Sequence, residues 1–131
     1  MLLLMVLFGT FAGFPHVEAQ VCNFTNVRTQ YPTVIRATEA FQVLVQLTAG
    51  CDYYGGIVLR VDLVDEKTNQ ILSTTRWTWF RNYNSTFTVS PWLQLEATAP
   101  NTTGYWSLTL HAYNLDGEGS TSITPFQIQV L

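Results

Sequence analysis

The feature that most constrains this chain is a period of two in its apolar residues, repeated in short runs with turn residues between them. Phe41, Val43, Val45 and Leu47 alternate with Gln42, Leu44, Gln46 and Thr48. Ile57, Leu59, Val61 and Leu63 alternate with Val58, Arg60, Asp62 and Val64, and Trp106, Leu108, Leu110 and Ala112 with Ser107, Thr109 and His111. Successive side chains of an extended strand point to opposite faces, so a run of this kind buries one side and leaves the other wet. No comparable helical spacing is sustained after residue 20.

The remaining segments extend the pattern. Gln30 to Ala40 reads as a loose first strand, with Pro32 marking an edge. Ile71 to Phe80 is a strand carrying Trp77 and Trp79. Thr86 to Ala97 is strand-like but broken at Pro91, and Ile123 to Leu131 is the last strand, with Phe126, Ile128 and Val130 inward. Gly55-Gly56, the polar run Asp65 to Gln70, the loop Ala99 to Gly104 and the Gly-rich stretch Asn114 to Ser120 supply turns. Half-buried sheets are satisfied when two of them close face to face. The expected fold is all-β: a single antiparallel sandwich of about seven strands over residues 20–131.

The first nineteen residues are different. Leu2 to Phe14 is an uncharged, mostly apolar run, followed by Pro15 and by Val17-Glu18-Ala19. This reads as a secretory signal peptide cut after Ala19. The alternative is an uncleaved N-terminal anchor, although the apolar run is shorter than the roughly 20 residues a spanning helix needs. No second apolar span follows, so no stable membrane insertion is expected after cleavage. A secreted or cell-surface product is expected.

Export gives the two cysteines a meaning. Cys22 and Cys51 are the whole complement. An even count in an exported chain favours a disulfide, worth roughly 3–4 kcal/mol for a loop of this length. Two buried thiols are the plainer alternative. The sequons at Asn23, Asn84 and Asn101 are candidate N-glycosylation sites. Charged residues are only 11% of the chain and the net charge is −3, which is too small and of the wrong sign for nucleic acid.

The stretch Gly104 to Gly119, reading Gly-Tyr-Trp-Ser-Leu-Thr-Leu-His-Ala-Tyr-Asn-Leu-Asp-Gly-Glu-Gly, resembles the F strand and FG turn of fibronectin type III domains. The resemblance covers about 16 residues and implies an immunoglobulin-like sandwich, with Tyr105 near the position of the tyrosine corner. Two features depart from the pattern. The strand beginning at Phe41 lacks the usual Trp, and no Cys lies in the Tyr105 strand. A Cys22–Cys51 bridge would instead tie the mature N-terminus to the end of the second strand.

Catalytic chemistry finds little to use. His111 is the one histidine after the leader, and Ser107 lies four residues away on the same strand face, about 13 Å along an extended chain. With Asp116 these do not make a direct relay. Asp62, Asp65 and Glu66, or Asp116 and Glu118, could lend oxygens to calcium, but neither cluster has EF-hand spacing, and solvated turns explain them. Asp62 reads as a weak surface partner of Arg60 or Lys67. No catalytic residue, metal or cofactor is expected.

The aromatic residues carry more information. Trp77 and Trp79 share a strand face at a spacing of roughly 7 Å. With Tyr83 and Trp92 they are candidate ligand-binding aromatics, since sugar rings stack their C–H faces on exposed indoles. The alternative is that Trp77, Trp79 and Trp106 fill the sandwich core or cover its edge. The sequence therefore points to a non-catalytic binding or structural module that engages an extracellular protein or envelope surface. A carbohydrate-binding module and a homo-oligomeric filament or surface-layer subunit are the alternatives. In the last case, Gln20 to Thr29 could be donated to a neighbour's sheet.

Overall fold

The computed structural model describes residues 20–82 and 87–131, so the expected signal peptide over residues 1–19 and the segment with Tyr83 and Asn84 lie outside the described residues. Among the described residues ten strands form: β1 (Cys22–Gln30), β2 (Val34–Ile35), β3 (Ala40–Cys51), β4 (Gly55–Asp65), β5 (Ile71–Arg81), β6 (Phe87–Val89), β7 (Leu93–Thr98), β8 (Gly104–Asn114), β9 (Ser120–Ser122) and β10 (Phe126–Val130). One sheet runs β2-β10-β8-β4-β5, with β9 also on β8; the other runs β1-β3-β6, with β7 also on β3. Pairings are antiparallel except β2 with β10.

The core lies between these sheets, where the period-two pattern placed it. Val43, Val45 and Leu47 of β3 meet Ile57, Leu59, Val61 and Leu63 of β4, Leu108 and Leu110 of β8, and Ile128 of β10, none more than 2% exposed. The long central strands β3, β4 and β8 contribute most of this interior, and their outward residues are mostly polar. Burial of such side chains at roughly 25 cal/mol per Å² is the main force holding the layers together.

The chain departs from the sequence reading at its beginning. The first strand is Cys22–Gln30, not Gln30 to Ala40, and it pairs with β3 from Cys22 opposite Cys51 to Gln30 opposite Leu44. Phe24 is buried beneath it and Val27 packs on the core, which fixes the strand although its apolar pattern is thin. A bulge between Thr25 and Arg28 accommodates Asn26 at φ 51°, a left-handed conformation that asparagine tolerates better than most residues. Pro32 falls in the link to β2, outside the ladder. The segment suggested as a donor strand is thus already paired within its own sheet.

Two other regions also depart from single long strands. Pro91 separates β6 from β7, and at the break Ser90 repairs the ladder: its backbone N–H donates to the Leu47 carbonyl and its Oγ accepts from the Leu47 N–H. The final strand begins only at Phe126, not at Ile123, and the short β9 forms ahead of it at Ser120–Ser122, where no strand was expected. These divisions and the two-residue β2 raise the count above seven without changing the architecture. Tyr105 is 73% exposed, so it does not occupy a buried tyrosine corner; Trp106, the next residue, takes the inward place. Its ring meets Phe41 edge-on at 5.6 Å, and its Nε1–H donates to Asp65 Oδ2 at 3.0 Å.

Candidate functional site

One end of the sandwich gathers the link from β3 to β4, the turn from β8 to β9, the end of β5 and the first described residues. Cys22 and Cys51 face each other across β1 and β3 and are joined by a disulfide. The Cys22 N–H points away from β3, to the Glu118 carbonyl, so the two cysteines form the narrow, non-hydrogen-bonded kind of antiparallel pair. Side chains approach most closely in such pairs, which is the setting a cross-strand disulfide needs.

Asn114 ties these pieces together. It is 5% exposed; its Nδ2 donates to the carbonyls of Gln20 and Glu118, and its Oδ1 accepts from the Tyr53 hydroxyl and the Asp116 N–H. Burial pushes the Tyr53 hydroxyl above its ordinary pKa, with Asp116 and Asp52 acting in the same direction against the Asn114 hydrogen bond. Gly119, at φ 125°, lets the turn lie against β1, where a Cβ would collide with the Cys22 carbonyl. Asp116 Oδ2 accepts from the Val58 N–H at 2.8 Å, fastening the turn to β4. Arg81 is buried, donates to the Tyr53 carbonyl and lies 4.7 Å above the Tyr54 ring.

On this braced end stand large apolar side chains in water: Phe80 at 74% exposure, Tyr54 at 51% and Leu115 at 40%. Phe80 lies opposite Gly56 on β4, and the Leu115 N–H donates to the Val58 carbonyl. Phe80 stands in the Gly56 row and Leu115 beside Val58, two residues further along β4. The parity of β5 carries this arrangement: with Trp77, Trp79 and Arg81 directed inward, Phe80 must point out.

The aromatics singled out in the sequence are distributed differently. Trp77 and Trp79 lie opposite the buried Leu59 and Ile57, on the core side of β5, and both are half-buried. Their rings stack on each other with centroids 3.9 Å apart and planes 12° apart, instead of lying side by side at about 7 Å. One face of each indole is occupied by its neighbour. The pair packs against the core from the edge strand β5, which meets β7 nearer its start, where the Glu96 N–H donates to Ser73 Oγ. Trp92 is half-buried beneath Arg28, whose guanidinium is 5.7 Å from the ring. Tyr83 and Asn84 lie outside the described residues, while Asn23 and Asn101 are both exposed.

The carboxylates are engaged internally. Asp62 is 4% exposed, not a surface partner: Oδ1 accepts from Arg60 Nε at 2.9 Å and Thr74 Oγ1 at 2.8 Å, and Oδ2 from the Tyr113 hydroxyl at 2.9 Å. Burial alone would raise its pKa, but these hydrogen bonds together outweigh burial and hold it below the usual carboxylate range. Asp65 is also held low: burial opposes ionisation, and donation from Trp106 and from the backbone of Thr68 and Lys67 prevails. Among the described residues, no group of three or more His, Cys, Asp or Glu is placed to hold a metal ion. His111 lies across from Asp62 on β4, whereas Ser107 Oγ accepts from Gln127 and Asp116 caps Val58, so the three do not converge. At the opposite end a depression of about 630 Å³ opens between Glu66, Lys67, Gln70, Thr103, Tyr105 and Trp106.

No protein-family model matches the chain, and no curated protein does. Solved structures match in fold. A glycosyl hydrolase family 2 member from Bacteroides cellulosilyticus superposes with a TM-score of 0.62 at 16% identity, covering 82% of this chain and 15% of that one. A second structure of a family 2 member from the same organism gives 0.59 at 16% identity, covering 82% and 14%. The CARDB domain of a Pyrococcus furiosus protein, in complex with di-metal ions, gives 0.44 at 10% identity, covering 94% of this chain and all of that one. The chain therefore spans a small part of the glycosyl hydrolases it resembles. The likeness establishes a β-sandwich and no more than that.

Proposed function

We propose that this domain is a non-catalytic recognition module that works outside the cytoplasm, engaging a protein on an envelope or extracellular surface through its disulfide end. The observation that carries the reading is the exposure of Phe80, Tyr54 and Leu115 around an end held rigid by the Cys22–Cys51 bond and Asn114, with Phe80 on the outer face of one sheet and Tyr54 toward the other. Large apolar groups left in water and grouped on a braced scaffold are the usual anchors of protein recognition. Bracing also lowers the ordering cost of binding. The disulfide supports an oxidising compartment, in keeping with the expected leader.

Fractionation of the source cells tests this reading. The wild-type protein is expected with the envelope or a partner outside the cytoplasm, and Phe80→Asp is expected to move it into the medium with its thermal midpoint unchanged. A cytoplasmic location, or a distribution unaffected by Phe80→Asp, would overturn it. Carbohydrate binding by Trp77 and Trp79 would use the outer faces of a stacked pair, and a glycan array with the Trp77→Ala variant tests it separately.

A further inference from the structure

On the outer face of the second sheet, Asn23 of β1, Gly50 of β3 and Phe87 of β6 occupy one cross-strand row. Adjacent strands are about 4.8 Å apart, so Asn23 and Phe87 are separated by the width of one strand. At that strand there is no side chain. A Cβ on Gly50 would stand 2.7 Å from Phe87 Cε1 and 2.8 Å from Cδ1, closer than real Cβ contacts come, because the phenyl ring lies over the glycine. The ring nevertheless remains 68% exposed. A depression of about 370 Å³ bordered by Asn23, Gly50, Tyr54 and Phe87 lies at the same place. The sequon Asn23-Phe24-Thr25 is displayed suitably: Asn23 and Thr25 point outward and are exposed, while Phe24 is buried.

We infer that Asn23 carries an N-linked glycan whose first sugar lies against the Phe87 ring across Gly50. The site has what such a seat requires: an amide in water, an apolar ring one strand away with its surface free, and no Cβ between them. A pyranose has an apolar C–H face, and the ring supplies the matching surface. Attachment needs a lipid-diphosphate-linked oligosaccharide and the transferase that uses it. Asn23 Nδ2 forms a bond to the sugar's anomeric carbon, the bond from that carbon to the diphosphate oxygen breaks, the lipid diphosphate leaves, and the amide gives up one proton. Asn101 is exposed in the loop before β8, with Thr102 and Thr103 also exposed beside it.

The inference rests on the export proposed above, and Asn101 separates the two. The full chain with its own leader is secreted from a eukaryotic host, and glycan occupancy is read by peptide mass mapping. Thermal midpoints are compared for wild type, Asn23→Gln, Thr25→Ala, Phe87→Ala and the double variants, before and after enzymatic trimming to one N-acetylglucosamine. The expected result is occupancy at Asn23 that raises the midpoint by about 3 °C. The rise survives trimming, disappears with Asn23→Gln or Thr25→Ala, and is absent in the Phe87→Ala background. A glycan on Asn101 with none on Asn23 would overturn the inference and leave export standing; occupancy at neither would overturn both. A rise of equal size with and without the Phe87 ring would overturn the seat.

Discussion

Thr38 sits in the turn before β3 at φ 65°, where a β-branched side chain is strained. Its N–H donates to the Pro100 carbonyl, which holds it there. A left-handed residue costs about 1–2 kcal/mol, and glycine returns roughly 0.5–1 kcal/mol of that through its freer unfolded chain. Thr38→Gly is therefore expected to stabilise the domain by roughly 0.5–1 kcal/mol, measured by urea unfolding; a loss of stability would show that the side chain does more than the backbone. Asp62 makes the opposite case. Its folded pKa is lowered, so its contribution is complete above the unfolded carboxylate value of about 3.9 and is lost as pH falls through the lower folded value. Asp65 acts in the same sense. Stability should be insensitive to these groups near neutrality and fall below about pH 4. Asp62→Asn should cost roughly 1–3 kcal/mol at pH 7 and flatten the acid limb; an unchanged acid limb would contradict this. Nothing in the spacing of Asp62 distinguished it from a surface charge, because its burial depends on Thr74 and Tyr113 arriving from two other strands.

At the scale of the elements, the strands with clean alternation were legible in advance. β3, β4 and β8 have the inward sets that the sequence pattern assigned, and Pro91 interrupts the strand where it should. β1 was not legible, because its anchoring comes from outside its own pattern: the bond to Cys51, the Glu118 carbonyl that accepts from Cys22, and the Asn114 side chain. Pairing of Cys22 with Cys51 was expected, but the role of Asn114 was not, since a single asparagine in a turn-like stretch gives no sign of the four oxygen and nitrogen groups its side chain binds. Trp77 and Trp79 were placed on a common strand face from their spacing, and only the neighbouring sheet determines that this face is the inner one. The staple has a measurable consequence. Replacing both cysteines by alanine should lower stability by roughly 3–4 kcal/mol, with a steeper denaturant dependence because the unfolded chain expands. An unchanged urea midpoint would mean that β1 is held by its ladder and by Asn114 alone.

The whole molecule is asymmetric along its long axis. One end carries the disulfide, two turns fastened to each other and the exposed side chains of Phe80, Phe87, Tyr54 and Leu115; the other carries a depression rimmed by the exposed Tyr105 and by Trp106. The recognition role proposed above rests on the first of these ends. The most direct measurement is site-specific photocrosslinking in the source cells, with a photoreactive phenylalanine at position 80 and, as comparison, at the exposed position 127. The account predicts a single discrete adduct from position 80, formed outside the cytoplasm, with none from position 127. Equal labelling from both positions, or no adduct from position 80, would contradict it.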